Sequence, residues 1–485
     1  MTKYRYLTKP YRHQVLALKK MLRNGFGGAL LMEPRTGKSK VVIDWLSILY
    51  MQNKVDRALI VCPPNVISVW EDEFNKHCPY EYDIFVWDRN KRIKGGLPEP
   101  TKNRLLVVLV NYETFAMPGK KLPSGRRSTT TGRIHHRNEI RRWTTPKTAG
   151  VLDESHIIKT SSARTHTTLV SLHRDLPYRA IMTGTVVTKS SRAHDIRNQW
   201  QFLNPERFAR WETQDEFKNY FGIWKEIPDV PVKVWRKGKN LDELHKLMMR
   251  DSFSITRDEC FDLPKSDTQV VEVTLSRAAK VYDQMATRMV AEFRQHTAEA
   301  SYPIVKVLRL AQITGGFITT DKGVVARVGT EKLDAITPYL AQIVEYGERV
   351  IVVARFKPEL DALYKLCQSF KVPVFQIRGG MKRQQVTLDR KKAEQSKGPL
   401  IYVVQPHAAG LGIDLSFASR MMWYSLPTSY VHFRQCSDRI ALSRKSTTFT
   451  YFLSSGIDQL MYKALQSDGR FLEAIRQDPE RLLRA

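Results

Sequence analysis

The chain has 485 residues, of which 42% are hydrophobic and 10% aromatic, and this composition predicts a globular protein of about two or three domains. Its 78 Lys and Arg residues exceed its 49 Asp and Glu residues, so the formal net charge is +29. Such a surplus attracts polyanions, which favours a nucleic-acid partner over a merely solvated basic surface. No apolar run approaches the roughly 18 residues that span a bilayer, so we predict no membrane partner.

The 5 cysteines are scattered and contain no Cys-x-x-Cys pair, which argues against a zinc site or a disulfide framework. Free thiols are typical of a reducing compartment. We therefore predict a cytoplasmic protein, or a nuclear protein if the host is a eukaryote. The compact length and the lack of a nuclease, methyltransferase or histone-reading motif favour a bacterium or a virus-infected cell.

The first predicted helix begins at Gln14, from which apolar residues recur at helical spacing up to Leu22. The amide of Gln14 can donate and accept a hydrogen bond on one edge of adenine, so this residue is a candidate for binding the base of a nucleotide. The simpler interpretation is a solvated glutamine at the start of a helix.

The stretch from Leu30 to Ser39 passes from an apolar run into Gly-Lys-Ser and then into a helix-like segment. This order predicts a phosphate-binding loop for ATP and Mg²⁺. Backbone N–H groups of Thr36 and Gly37 would face the phosphates. Lys38 would reach the terminal phosphates, and the hydroxyl of Ser39 would ligate Mg²⁺.

Two residues of this loop depart from the usual pattern. Met32 stands where the first glycine is expected, and Arg35 stands where many such loops have a further glycine. Taken alone, the Gly-Lys-Ser could therefore also be an ordinary turn in a basic chain.

Further strands are predicted at 58–62 and 105–110, which are continuous apolar runs of the kind buried in parallel sheets. The segment 118–147 has little apolar periodicity and carries nine Lys or Arg residues against a single acid, Glu139. We predict a loop here that contacts a DNA backbone, and the alternative is a solvated loop. The basic candidates are Lys120, Lys121, Arg126, Arg127, Arg141 and Arg142.

An acidic pair, Asp153 and Glu154, follows the next apolar run, 150–152. In a chain that also has a phosphate-binding loop, Asp153 is predicted to face Mg²⁺ and Glu154 to face the attacking water. A later run ends in Thr183-Gly184-Thr185, whose hydroxyl groups could sense the state of the γ-phosphate.

The order of these motifs resembles that of the superfamily-two helicases and, within them, the Swi/Snf-like double-stranded DNA translocases. The segments that carry the resemblance are Arg12-His13-Gln14, Gly37-Lys38-Ser39, Leu59-Ile60-Val61-Cys62-Pro63, Asp153-Glu154-Ser155-His156 and Thr183-Gly184-Thr185. Trp70 and Phe74 also match a helix of that family. Ser155 replaces the usual Ala of the acidic motif, a change that we expect to be harmless.

The resemblance implies an α/β fold of two RecA-like lobes, each a mostly parallel, doubly wound sheet, with the ATP site in the cleft between them. The predicted parts are an N-terminal RecA-like ATP-binding lobe at 1–205, a bridging or inserted segment at 206–262, a C-terminal RecA-like helicase lobe at 263–455 and a C-terminal helical brace at 456–485. Strand-like runs at 349–353, 374–377 and 400–404 support the second lobe.

Two segments of the second lobe resemble further motifs of the family. In the segment 408–415, Gly412 would allow a close backbone approach and Asp414 would respond to bound nucleotide or DNA. The segment from Gln435 to Arg439 resembles the sixth motif, and the resemblance implies that Gln435 belongs to the nucleotide site and that Arg439 stabilises charge on the transferring phosphoryl group.

The sixth motif also departs from the family. Its second arginine falls on Leu442, whereas Arg444 stands two positions further along the chain. Arg439 is therefore the safer candidate for an arginine finger, and Arg444 is a hypothetical substitute.

The leading hypothesis is an ATP-driven motor that tracks along duplex DNA. A strand-separating DNA or RNA helicase is one alternative, and a non-catalytic nucleic-acid-binding module that keeps the fold is another. A third is the motor subunit of a larger machine, in which the other activities would lie on separate protein subunits.

Overall fold

The structure of the chain is a computed structural model, which describes residues 4–87, 96–116, 133–159, 164–184, 193–227, 230–261, 266–288, 290–293, 296–299, 303–320, 323–381, 383–408, 415–440, 446–454 and 456–466. The chain divides into two compact units, Met1–Asp262 and Leu263–Ala485. Each unit contains one large parallel sheet.

The strands of the first unit are β1 (Gly27–Met32), β2 (Arg57–Cys62), β3 (Tyr82–Trp87), β4 (Leu105–Asn111), β5 (Thr148–Asp153), β6 (Tyr178–Thr183), β7 (Gly222–Ile227), β8 (Val230–Gly238) and β9 (Ser252–Ile255). Within the described residues, seven of them form one sheet in the order β3-β4-β2-β5-β6-β1-β9, and its neighbouring strands run parallel. The other two, β7 and β8, form an antiparallel hairpin.

The helices of the first unit are α1 (Arg12–Asn24), α2 (Lys38–Met51), α3 (Ile67–His77), α4 (Glu113–Ala116), α5 (Arg133–Trp143), α6 (Arg164–Val170), α7 (Ala193–Leu203), α8 (Gln214–Phe221), α9 (Leu241–Met249) and α10 (Arg257–Cys260). Helices α1 to α3 contribute to the apolar core on one face of the sheet, and α4 to α9 contribute to the core on the other face. Because both faces are covered, β2 and β5 at the centre of the sheet are buried along their whole length.

The strands of the second unit are β10 (Asp267–Val273), β11 (Val290–Phe293), β12 (His296–Glu299), β13 (Phe317–Thr319), β14 (Val325–Arg327), β15 (Arg349–Val353), β16 (Val374–Ile377), β17 (Leu400–Val404), β18 (Arg420–Trp423) and β19 (Thr448–Ser454). Six of these described strands form a parallel sheet in the order β10-β19-β18-β15-β17-β16. The pairs β11-β12 and β13-β14 are antiparallel.

The helices of the second unit are α11 (Ala279–Arg288), α12 (Pro303–Thr314), α13 (Glu331–Glu345), α14 (Lys357–Gln368), α15 (Arg383–Gln395), α16 (Tyr430–Ser437) and α17 (Ile457–Gln466). Apolar cores lie on both faces of this sheet as well. The predicted α/β fold with two mostly parallel, doubly wound sheets is therefore confirmed. In the part of the chain that the structure describes, no helix has the length and apolar character needed to cross a membrane.

The structure adds detail to three of the predicted segments. The basic segment 118–147, predicted to be a loop, contains the helix α5, because Ile140 and Trp143 stand three positions apart and are both buried. The segment 206–262, expected to bridge or decorate the lobes, supplies strand β9, which pairs with β1 in the first sheet. Of the predicted helical brace, residues 467–485 lie outside the described residues.

The strand order of the first unit determines where its polar loops meet. Strand β6 pairs with β5 on one side and with β1 on the other, all three in parallel. The loops that follow these strands therefore emerge side by side at the carboxyl edge of the sheet, where ligands of such sheets bind.

Candidate active site

The predicted phosphate-binding loop joins β1 to α2, and Gly37 is its tightest point. Gly37 has a φ of 84°, in the left-handed region, and directly precedes the first residue of α2. A Cβ atom on Gly37 would lie 2.1 Å from Nε2 of Gln14. Glycine is therefore required here both for the backbone angle and for the space it leaves.

The two unusual residues of the loop are compatible with this geometry. Met32 is the last residue of β1, and its buried side chain belongs to the apolar core of one sheet face. Arg35 has a φ of 68°, a left-handed angle that explains why many such loops have glycine at this position. The departures thus leave the course of the backbone intact.

The side chain of Lys38 binds back to the backbone at the start of the loop. Its Nζ donates hydrogen bonds to the carbonyl oxygens of Met32, at 2.8 Å, and Glu33, at 3.2 Å. The ammonium group consequently lies within the turn that the backbone makes between β1 and α2, at the start of the helix. A helix N-terminus with an adjacent ammonium group favours a bound anion.

Gln14 and His13 support the loop from α1. Nε2 of Gln14 donates to the carbonyl oxygen of Thr36 at 3.2 Å, and Nε2 of His13 lies 2.8 Å from the same oxygen. Oε1 of Gln14 accepts from the backbone N–H of Tyr11 at 2.9 Å. Gln14 is only 5% exposed, so the interpretation as a solvated glutamine is wrong, and its predicted contact with adenine stays a prediction.

The acidic pair lies at the end of β5. Asp153 is the last residue of the strand and is buried, whereas Glu154 adopts a left-handed φ of 54°. The indole Nε1 of Trp70, on α3, donates to Oδ2 of Asp153 at 3.0 Å. The hydroxyl of Tyr112 donates to the backbone carbonyl of Asp153 at 2.7 Å.

The charge of Asp153 depends on its neighbours. Burial, and next the negative charge of Glu154, raise the pKa of Asp153 to about 7, while Lys38 and the indole of Trp70 act in the opposite direction. Two adjacent carboxylates in a buried site repel each other, and a nearby cation relieves this repulsion. The influence of Lys38 on Asp153 also indicates that the phosphate-binding loop and the acidic pair form one electrostatic environment.

The turn after β6 lies beside the same loop. Thr183, the buried last residue of β6, is in register with Leu31 of β1. A Cβ atom on Gly184 would lie 3.0 Å from two side-chain carbon atoms of Pro34, so the turn contacts the phosphate-binding loop directly. Thr185 lies outside the described residues.

The residues present fit a Mg²⁺ ion. Ser39 supplies a hydroxyl in the first turn of α2, and Asp153 supplies a carboxylate whose pKa is raised first by burial and next by the negative charge of Glu154. Among the described residues, no cluster of three or more His, Cys, Asp or Glu side chains could hold a metal ion. Mg²⁺ is usually bound by one or two carboxylates together with water and substrate phosphates.

The site residues predicted in the second unit are partly described. Gln435 lies on α16 and is half-buried, and the carbonyl oxygen of Arg439 accepts from the backbone N–H of Leu415 at 3.2 Å. Gly412, Asp414 and Arg444 lie outside the described residues, as does Leu442.

The basic candidates of the segment 118–147 differ in their surroundings. Arg141 forms an ion pair with Asp175 at 2.8 Å and donates to the carbonyl oxygen of Ser171, so it ties α5 to the residues after α6. Arg142 is exposed at the last turn of α5. The remaining four, Lys120, Lys121, Arg126 and Arg127, lie outside the described residues.

Sequence reasoning missed three side chains that contact the acidic turn. Trp70 and Tyr112 bind Asp153, and Gln199, on α7, binds Ser155. Trp70 was noted only as part of a family helix, without a role. Each of these side chains pairs a polar group that is buried at the acidic turn, and such pairing can be recognised only in the folded chain.

The fold and this site define a class: a protein of two RecA-like α/β units in which a Gly-Lys-Ser loop and an acidic pair follow nearby strands of one sheet. Within this class, residues 11–314 match the SNF2-related domain, and residues 331–442 match the helicase conserved C-terminal domain. The chain belongs to the SNF2-related family. The predicted resemblance is thereby confirmed.

Similar proteins come from bacteria and eukaryotes. An uncharacterized ATP-dependent helicase of Mycoplasma pneumoniae is 22% identical to this chain. The match covers 95% of this chain and 42% of that protein. Chromodomain-helicase-DNA-binding protein 1-like of Danio rerio is 21% identical to this chain. The match covers 97% of this chain and 44% of that protein. The chain thus spans less than half the length of these relatives.

Among solved structures, the Sulfolobus solfataricus SWI2/SNF2 ATPase core in complex with dsDNA is 17% identical to the chain, with a TM-score of 0.43. The match covers 98% of this chain and 94% of that one. The same core domain in another structure is 18% identical, with a TM-score of 0.39, and covers 97% of this chain and 92% of that one.

Proposed function

We propose that the chain is a motor that hydrolyses ATP to ADP and phosphate while it tracks along duplex DNA. The observation that carries the proposal is the convergence of Lys38, the acidic pair and Thr183 at the carboxyl ends of β1, β5 and β6. Family membership supports the choice of substrate, because relatives that match most of the chain are named ATP-dependent helicases.

Each candidate site residue of the first unit has a defined role in this proposal. Lys38 and the backbone N–H groups from Thr36 to Ser39 bind the phosphates, and Gln14 reaches the base once nucleotide binding has rearranged its contacts. Ser39 and Asp153 would hold Mg²⁺, which neutralises charge on the phosphates when bound. Glu154 accepts the proton of the attacking water. Thr183 and Thr185 report the state of the γ-phosphate.

The second unit would complete hydrolysis. Arg439 acts as the arginine finger, with Arg444 as its substitute or second member, because a positive charge at the transferring phosphoryl group lowers the barrier. Gly412, Asp414 and Gln435 belong to the nucleotide-binding part of this unit.

DNA binding rests on charge and on relatives. The net charge of +29 favours polyanions, and a relative that covers 97% of the chain is named a DNA-binding protein. Exposed Arg142 and the basic residues from Lys120 to Arg127 are the proposed backbone contacts, whereas Arg141 has an internal ion pair with Asp175. Additional protein subunits remain part of the proposal.

The experiment compares ATP hydrolysis by the full chain in the presence of blunt duplex DNA, single-stranded DNA or RNA. We expect the strongest stimulation by duplex DNA. Glu154→Gln should retain nucleotide binding, measured with a fluorescent ATP analogue, while turnover falls on the order of 10²- to 10⁴-fold, since general base catalysis supplies about this factor.

Two outcomes would contradict the proposal. Strongest stimulation by RNA, or unwinding of a partial duplex as the main activity, would favour a strand-separating helicase. Equally slow hydrolysis in the parent and in Glu154→Gln would favour a binding module without catalysis.

A further inference from the structure

The backbone of Glu154 is strained. Its φ of 54° lies in the left-handed region, which is unfavourable for a residue other than glycine. Such an angle persists only where the surrounding structure holds the residue on both sides. For its backbone, the contacts of Asp153 and Ser155, the two neighbours of Glu154, are therefore the relevant ones, while its carboxylate oxygen Oε2 lies 3.2 Å from Nδ1 of His156.

The residue before Glu154 is fixed by two buried aromatic donors. Trp70 binds the carboxylate of Asp153, and Tyr112 binds its backbone carbonyl. Trp70 is 1% exposed and Tyr112 is 5% exposed. This side of the strained residue is held by the sheet and by α3.

The residue after Glu154 is fixed by α7. Ser155 is fully buried and starts the 3₁₀ turn Ser155–Ile158. Its hydroxyl donates to Oε1 of Gln199 at 2.6 Å, and Nε2 of Gln199 donates to the backbone carbonyl of Asp195 at 3.1 Å. Because the amide nitrogen is used within the helix, the amide oxygen is the atom that faces Ser155.

Helix α7 also binds the other end of the same turn. The amide of Asn198 donates to the carbonyl oxygen of Lys159, the residue that follows the turn. The helix itself is held elsewhere, because the indole of Trp200 donates to Asp251 at 3.2 Å. Adjacent residues of one anchored helix thus bind both ends of the turn that begins after Glu154.

We propose that Gln199 is a positioning residue for hydrolysis, which acts through Ser155 to hold Glu154 in its left-handed conformation and so to place the carboxylate that activates water. This inference rests on the proposed function of Glu154. It also gives Ser155 a purpose: the hydroxyl that replaces the usual Ala is the donor through which α7 holds the acidic turn.

The experiment uses Ser155→Ala and Gln199→Leu in the full chain, with Ser252→Ala as the matched control. Ser252 is also a buried serine of the first unit, and its hydroxyl donates to the carbonyl oxygen of Met248 at 2.7 Å. We expect both test variants to lower the kcat of ATP hydrolysis about tenfold, the effect of one lost hydrogen bond to a buried group, with KM for ATP and nucleotide binding unchanged. Ser252→Ala should keep its kcat.

A second measurement separates positioning from a general loss of structure. In the Glu154→Gln background, single-turnover hydrolysis should be no slower when Ser155→Ala is added, since the carboxylate to be positioned is already absent. If Ser155→Ala lowers the residual rate by the same factor as in the parent, Ser155 acts on the fold in general and the inference is wrong. Because Ser155→Ala removes only one oxygen atom, this variant still tests the inference if Gln199→Leu fails to fold.

The two proposals fail in different ways. If Glu154→Gln hydrolyses ATP as fast as the parent, the proposed role of Glu154 is wrong, and this inference falls with it. If Glu154→Gln loses activity while Ser155→Ala and Gln199→Leu keep their kcat, the proposed function stands and only the positioning role of Gln199 is wrong.

Discussion

The two units each bury a carboxylic acid whose pKa is raised to about 7: Asp153 in the first and Glu359 in the second. Burial is the largest cause for both. The two groups differ in what surrounds them, and this difference separates the proposed Mg²⁺ ligand from a carboxyl group that is buried among hydrogen-bond donors.

Asp153 has a like charge as its neighbour. After burial, Glu154 is the next cause that raises its pKa, and Lys38 and the indole of Trp70 only partly oppose it. A divalent cation beside Asp153 would relieve both the burial and the repulsion. The first unit therefore has an electrostatic cost at Asp153 that a bound cation would lower.

Glu359, by contrast, is surrounded by hydrogen-bond donors. Its Oε2 accepts from the hydroxyl of Ser425 at 2.5 Å and from the backbone N–H groups of Phe356 and Arg355 at 3.0 Å and 3.2 Å. Its Oε1 has no hydrogen-bond partner among the described residues, and a Cβ atom on Gly315 would lie only 1.9 Å from it. A proton, which needs no additional space, is the cation that suits this oxygen.

The largest expected effect that tests this contrast is on turnover. Asp153→Asn removes the carboxylate proposed to hold Mg²⁺ and should lower ATP hydrolysis at least about 100-fold, since charge stabilisation by a metal ion supplies several kcal/mol. Glu359→Gln, a matched replacement of a buried acid by its amide, should keep its turnover within about twofold. Steady-state hydrolysis with saturating duplex DNA measures both, and a similar loss in both variants would contradict the distinction.

Sequence reasoning named the candidate reactive residues of the first unit. Lys38, Ser39 and the acidic pair were predicted because their chemistry follows apolar runs at fixed spacing, and the parallel strands place their loops at one edge of the sheet. The supporting contacts could not be predicted in this way. Ser155 and Gln199 are 44 positions apart, and Trp70 and Asp153 are 83 positions apart, so only tertiary packing reveals them.

Glu359 shows a different reason for a missed residue. It lies in the first turn of α14, where it accepts from the N–H of Phe356 just before the helix, and this local pattern after Pro358 could have been recognised. Its burial could not, because the sequence presents an ordinary surface-type helix start. The helix α5 was missed because the buried apolar pair that marks it, Ile140 and Trp143, lies only in its last turn.

The second prediction concerns stability. The pKa of Glu359 is about 7 in the folded chain and 4.5 is its ordinary value, so unfolding releases a proton between these pH values. The free energy of unfolding therefore falls as pH rises from about 4.5 to 7, by up to about 3 kcal/mol from this group. Glu359→Gln should be more stable than the parent at pH 8, by about 1–3 kcal/mol, and nearly equal to it at pH 4.5.

Urea unfolding of both proteins at several pH values tests this, because the other titrating groups are shared and cancel in the difference. A difference between parent and variant that does not change with pH would show that Glu359 does not titrate in this range.

The smallest effect concerns Ser425, whose hydroxyl lowers the pKa of Glu359 by binding the ionised form. Ser425→Ala should raise that pKa further and destabilise the chain by about 1 kcal/mol at pH 5, where the carboxyl group is protonated, and by about 2 kcal/mol at pH 8, where a charged group loses its donor. The double variant with Glu359→Gln should lose this pH dependence, because no ionised form remains. If Ser425→Ala costs the same at both pH values in the presence of Glu359, the hydroxyl of Ser425 does not discriminate between the two forms, and the backbone N–H groups of Phe356 and Arg355 are then the donors that do.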